Sequence, residues 1–161
     1  MPDRNGPGGA TDEVPLTGYA TLATLFAVGL SVLVMTLTKE RLLPRQWSVR
    51  DLLMTGIATG RLARIMTRDR IAMPLRAPFA DYEGPAGPGE VREKPRGHGV
   101  RRAVGALLTC PFCAAPWIAT GSLAALAARP RATRFVQAIL VSVTVADFAQ
   151  QLYAASRKLS G

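Results

Sequence analysis

From Leu16 to Thr38 the chain reads LTGYATLATLFAVGLSVLVMTLT, 23 residues without a charge. At about 1.5 Å per residue, such a helix reaches across a hydrocarbon core of roughly 30 Å. Two further apolar blocks follow, at 103–128 and about 132–155, and Lys and Arg fall between the blocks rather than among them. The chain is 48 % hydrophobic with a net charge of +9, and this segregation predicts an integral membrane protein. A basic soluble nucleic-acid binder would interleave aromatics over its surface, and aromatics are only 6 % here, so no nucleic-acid partner is expected. The expected partners are the lipid bilayer and its anionic headgroups. The expected fold is all-α: an integral membrane helical bundle of three to four membrane helices with a C-terminal antiparallel hairpin.

Residues 1–15, rich in Gly, Pro and acidic side chains, are expected to form a disordered N-terminal tail without the basic start of a secretory signal. Residues 16–38 form the first transmembrane helix, whose Ala23, Ala27 and Ser31 make a small-residue row suited to close helix contact. Residues 48–67, SVRDLLMTGIATGRLARIMT, read as a weaker, Arg-bearing embedded helix. Its Arg50, Arg61, Arg64 and Arg68 share one stripe at about 100° per residue. Such a helix either lies in the interface with its Arg snorkelling or crosses with Arg61 and Arg64 turned towards protein. Residues 68–102 are a basic loop in which GPAGPGE predicts no regular structure. Residues 103–155 form a transmembrane helical hairpin about the short turn RPRATR, and 156–161 are a C-terminal tail.

Counting Lys and Arg orients the chain. If 48–67 does not cross, 16 basic residues lie inside and 4 outside; if all four helices cross, the balance is 11 to 7. Both arrangements place the 68–102 loop in the cytoplasm and imply a multi-pass protein of the cell inner (plasma) membrane.

On the last helix Thr133, Gln137, Thr144, Asp147 and Gln151 share one face, which must meet protein or a wet cleft because unsatisfied polar groups are costly in lipid. An acid near bilayer depth calls for a partner, and Arg61 and Arg64 are the charges elsewhere that can reach it. An intramembrane ion pair among Arg61, Arg64 and Asp147 is therefore expected to clamp the helices.

Cys110 and Cys113 are the chain's two cysteines, set in LLTCPFCAAPW. Three readings stand. The pair packs as small apolar residues on a helix face with Trp117 and Gly121. Alternatively it forms a dithiol at a helix N-terminus, where Cys110 caps, Pro111 suits the first turn and a thiol pKa falls. The third reading is half of a zinc site, completed by His98 and a carboxylate such as Asp81 or Glu83, or by a second chain. Packing is the leading expectation, so no cofactor is expected and zinc stays as the alternative. A Gly121/Ala125 row permits either the internal hairpin or a homo-oligomer.

The stretches GRLARIMTRDRI (60–71), RAPF (76–79), GALLTCPFCAAPW (105–117) and VADFAQQLY (145–153) together resemble a family of small bacterial membrane proteins known as domain of unknown function 1360. The resemblance runs from about Thr59 to Tyr153. It implies that 48–67 is embedded and singles out Arg61, Arg64, Asp69, Arg76, Pro78, Phe79, Cys110, Cys113, Trp117 and Asp147. It also implies that the first helix and the tail are additions outside the core, and it supplies no activity. The expected function is a non-enzymatic membrane interaction or scaffold protein, with another membrane protein as a candidate partner. The alternative is a thiol-redox or metal-binding protein using Cys110 and Cys113.

Overall fold

The computed structural model describes residues 16–159, so the tail expected at 1–15 lies outside the described residues, as does the end of the 156–161 tail. Six α-helices carry most of the described chain: α1 (Leu16–Lys39), α2 (Val49–Thr67), the short α3 (Met73–Arg76), α4 (Gly99–Thr109), α5 (Pro111–Ala128) and α6 (Pro130–Leu159). The fold is mostly helical but not all-α, because β1 (Ala80–Gly87) and β2 (Glu90–Pro95) pair antiparallel inside the segment expected to be an irregular loop.

The hairpin follows from the residues that made the loop look featureless. Pro88 and Gly89 close it, with φ of 77° at Gly89 suiting the third position of a type II turn. Register shifts at Tyr82/Gly84 and Pro85/Gly87 place the glycines and Pro85 at irregularities, where a missing N–H does least harm.

Helix α2 starts on a side-chain cap. The Asp51 N–H donates to Ser48 Oγ at 3.0 Å, and the acid in the first turn suits the helix dipole. The helix expected across 103–128 is instead broken. Pro111 disfavours a helical Cys110, which is extended at φ −119° and ψ 110°, so α4 stops and α5 starts afresh with Pro111 in its first turn. The α5–α6 corner is also tighter than the six-residue turn expected, since Arg129 alone separates the helices.

Three helices, α1, α5 and α6, are long and apolar enough to cross a membrane. Helix α2 packs against α5 and α6, and α1 packs against α4 and α5. Contacts set the directions. Asp51, Thr55 and Arg61 of α2 meet Arg134, Gln137 and Asp147 of α6 in the same order, so these two helices run parallel. Gly18 of α1 lies against Gly99 and Ala103, and Phe26 lies against Trp117, so α1 follows the direction of α4 and α5. One end of the bundle therefore holds the 40–48 connection and the α5–α6 corner, where Leu42, Trp47, Leu126 and Pro130 line a shallow hollow. The other end holds the hairpin, α3, α4 and the last turns of α6.

Burial is inverted relative to a water-soluble bundle. The buried apolar positions are mostly alanine, among them Ala58, Ala63, Ala103 and Ala114, while Leu25, Val28, Val32, Met35, Phe135 and Ile139 point outward. Close packing through small residues, with large side chains outside, suits helices whose solvent is lipid.

Candidate functional site

The polar chemistry gathers where α2 leaves the bundle and meets the hairpin. Arg61, on the inner face of α2, donates from Nη1 to Asp147 Oδ2 at 2.6 Å, and its Nη2 lies 3.6 Å from Asp69 Oδ2. A guanidinium between two carboxylates joins α6, α2 and the turn after α2. Asp147 stands 17 residues beyond Pro130 and α5 has 18 residues, so by helical rise the pair lies level with the first turn of α5. The helix also continues to Leu159 rather than ending near Ala155, so Asp147 is about 18 Å from its end.

Arg64 is not a partner of Asp147. It donates from Nε to Glu90 Oε1 at 2.6 Å, reaching the base of β2. Backbone bonds reinforce that junction: Arg70 N–H donates to Gly89 O and Val91 N–H donates to Arg68 O, both at 2.9 Å. The stripe of four arginines thus divides by height along α2, since a turn of helix carries Arg64 past the bundle edge to the hairpin.

Beneath this junction lies an ion pair that sequence reasoning did not find. Arg76 is fully buried, 0 % exposed, and pairs with Glu93, itself 3 % exposed. Arg76 also donates to Met66 O at 2.8 Å and to Asp69 O at 3.1 Å, capping carbonyls at the end of α2 and the turn beyond it. The rest of the RAPF stretch contributes carbonyls. Pro78 O accepts from Arg101 Nη2 at 2.7 Å, and Phe79 O accepts from the Arg96 N–H at 2.8 Å. Gly105 of α4 packs so closely beneath that a Cβ there would overlap Phe79 O and stand 3.2 Å from Pro95 Cα.

The polar face of α6 divides along its length. Gln137 Nε2 donates to Thr55 Oγ1 at 2.9 Å in the buried α2–α6 seam, whereas Thr133 and Thr144 bond back to carbonyls of their own helix or its cap. Three buried atoms along or beside this seam, Thr59 Oγ1, Arg61 Nε and Gln137 Oε1, have no hydrogen-bond partner among the described residues. At the opposite end of the seam Arg134 grips Asp51 through two bonds of 2.9 and 2.8 Å. Sequence reasoning missed this pair too, although an acid three residues after a Ser cap marks the helix start where it sits.

Cys110 and Cys113 are brought together at the α5 N-terminus, where Cys110 Sγ accepts the Cys113 N–H at 3.3 Å. Burial pushes the Cys110 thiol up, but hydrogen bonds from the Cys113 thiol and the Cys113 and Phe112 amides, with the charge of Arg68, outweigh it. The thiol is held below its ordinary value. His98 is not brought to this pair: it precedes the 11-residue α4, about 16 Å in length, while Cys110 follows it. Asp81 is engaged by Arg96 at 3.1 Å, and among the described residues no three His, Cys, Asp or Glu side chains cluster as metal ligands. Trp117 meets Phe26 edge to face, centroids 4.9 Å apart, which fastens α1 to α5.

Taken together, the three apolar helices, the Arg-bearing helix packed among them and the pinned hairpin define a small helical protein of membrane-compatible architecture. The chain belongs to the family described as Protein of unknown function (DUF1360), whose model matches residues 54–153. The match leaves α1 and the start of α2 outside it. No curated protein and no solved structure matches the chain.

Proposed function

We propose that this is a multi-pass membrane protein acting as a non-enzymatic interaction or scaffold element, with Arg61 and Asp147 as an intramembrane clamp and residues 68–102 as its basic cytoplasmic face. One observation carries the reading: the arginines Arg61, Arg64, Arg76 and Arg134 each join two segments of the chain, so its charged chemistry is directed to holding a shape. With four helices crossing, 11 basic residues fall on the hairpin side against 7 on the other, which favours a cytoplasmic hairpin at the plasma membrane. The partners are the bilayer, its anionic headgroups, and a second copy or another membrane protein.

The test is photocrosslinking in the native membrane followed by purification, with a Gly87→Cys variant labelled from either side. A stoichiometric membrane partner or a covalent dimer, with labelling from the cytoplasmic side only, supports the reading. Labelling of intact cells from outside overturns the orientation, and crosslinks to lipid alone overturn the scaffold role.

A second reading, a thiol-redox or metal-binding protein, is favoured by the Cys110 geometry at the α5 N-terminus. Thiol counting and metal analysis on detergent-purified protein separate the two. Thiols inert to maleimide until unfolding, with no bound metal, remove it.

A further inference from the structure

Between α2 and the hairpin the chain makes a short helical passage, a 3-10 turn at Arg70–Ala72 running into α3. Its two faces differ completely. Ala72 and Arg76 point inward and are buried, Arg76 onto Glu93 and the end of α2. Ile71 and Leu75 point outward at 83 % and 64 % exposed, and Pro74 and Pro78 are exposed with them. Positions 71, 74, 75 and 78 follow helical spacing and form one apolar stripe. Backbone bonds from Ala72 to Asp69, Ala77 to Met73 and Phe79 to Arg76 keep the passage wound, so the stripe is presented by a fixed element.

Two observations identify what covers it. The stripe follows the end of α2 by four residues, and α2 packs against α5 and α6, both long and apolar enough to cross a membrane. The stripe is thus carried at the edge of the bundle, just past the helix that packs against two of the candidate spans. Exposed Arg70 flanks the stripe, and the surrounding segment is basic, which complements anionic headgroups. An apolar face with cations at its edge matches the headgroup–acyl boundary, where long basic side chains keep their charge in water.

We propose that the Arg70–Pro78 passage is an interfacial anchor, with Ile71 and Leu75 seated in the headgroup–acyl boundary of the bilayer that α1, α5 and α6 cross. This rests on the membrane reading above. Seating would fix the depth and tilt of the hairpin relative to the lipid surface.

The experiment uses the full chain in nanodiscs of phosphatidylcholine and phosphatidylglycerol, with Cys110→Ala and Cys113→Ala. Single cysteines replace Ile71, Leu75, Leu25 or Gly87 and carry an environment-sensitive fluorophore; doxyl lipids quench from shallow or deep positions. The expected result is blue-shifted emission at 71 and 75, quenched about twofold more by shallow than by deep doxyl groups, as an interfacial helix requires. Leu25 should be quenched by the deep probe and Gly87 by neither. Fluorophores at 71 and 75 that behave like the one at Gly87 overturn the anchor. Blue-shifted but unquenched emission there also overturns it, because protein rather than lipid then covers the stripe. If Leu25 itself escapes quenching, the membrane reading fails with it.

Discussion

The two ends of α2 are both fastened by an arginine and an acid, yet in opposite surroundings. At the hairpin end Arg76 and Glu93 are sealed from solvent, with two α2-end carbonyls completing the guanidinium's bonds. At the corner end Arg134 and Asp51 form a geometrically better fork, but Arg134 is 56 % exposed. A buried charge that loses its partner has nowhere to find water, whereas an exposed one is resolvated at once. Fork geometry is therefore a poor guide to which pair holds the molecule together; burial is the better one.

The largest effect should come from Glu93→Gln, which strands Arg76 in a dry site. Loss of about 3–5 kcal/mol is expected, read as a collapse of the thermal unfolding midpoint in detergent. A midpoint near the wild-type value would break the contrast between the two ends. Gly105→Ala comes next, since its methyl group meets Phe79 O and the backbone of Pro95. Overpacking of this kind costs about 1–3 kcal/mol, with the hairpin amides losing hydrogen-exchange protection first. Asp147→Asn keeps a neutral acceptor and leaves Arg61 with Asp69, so about 1–2 kcal/mol is expected. Adding Arg61→Gln should restore part of the loss, and a double-mutant cycle measures how much. Asp51→Asn should cost less, under about 1 kcal/mol, because Arg134 is 56 % exposed and is resolvated although Asp51 itself is 14 % exposed.

The smallest effect concerns rate rather than stability. Cys110 should react with a thiol-directed reagent ahead of Cys113, and its rate should rise with pH through a midpoint below the ordinary thiol value. Equal rates for the two cysteines would remove the influence of the α5 N-terminus.

Much of the helical architecture was legible because apolar length is a local property. Leu16–Thr38 declares itself, and α2 begins within one residue of the expected 48. The break at Cys110 was half legible, since Pro111 was seen as a first-turn residue while the apolar run invited one unbroken helix. The hairpin was not legible, because its strands are polar, interrupted by Gly and Pro, and lack strict alternation; long-range pairing and the docking of Val91 decide them. Arg76 was marked only through the family resemblance. Glu93 was invisible for a physical reason: an acid in a basic loop looks solvated until the fold buries it against a partner 17 residues away. Arg61 and Asp147 were named from charge at depth, but the different fates of Arg61 and Arg64 depended on how far α2 runs past its neighbours.

Chain order adds a temporal side to the Arg61 contact. Asp147 follows Arg61 by 86 residues, and most of the second helix's packing surface, on α5 and α6, lies downstream as well. Of the two acids that hold Arg61, only Asp69 follows it closely, eight residues on. The hairpin and its Arg76–Glu93 lock draw their remaining partners from Arg96, Arg101 and Gly105, so the unit can close once α4 has been made, while synthesis continues. The seam must wait for the final helix, which makes assembly of the second helix a late event, completed by the last part of the described chain to emerge.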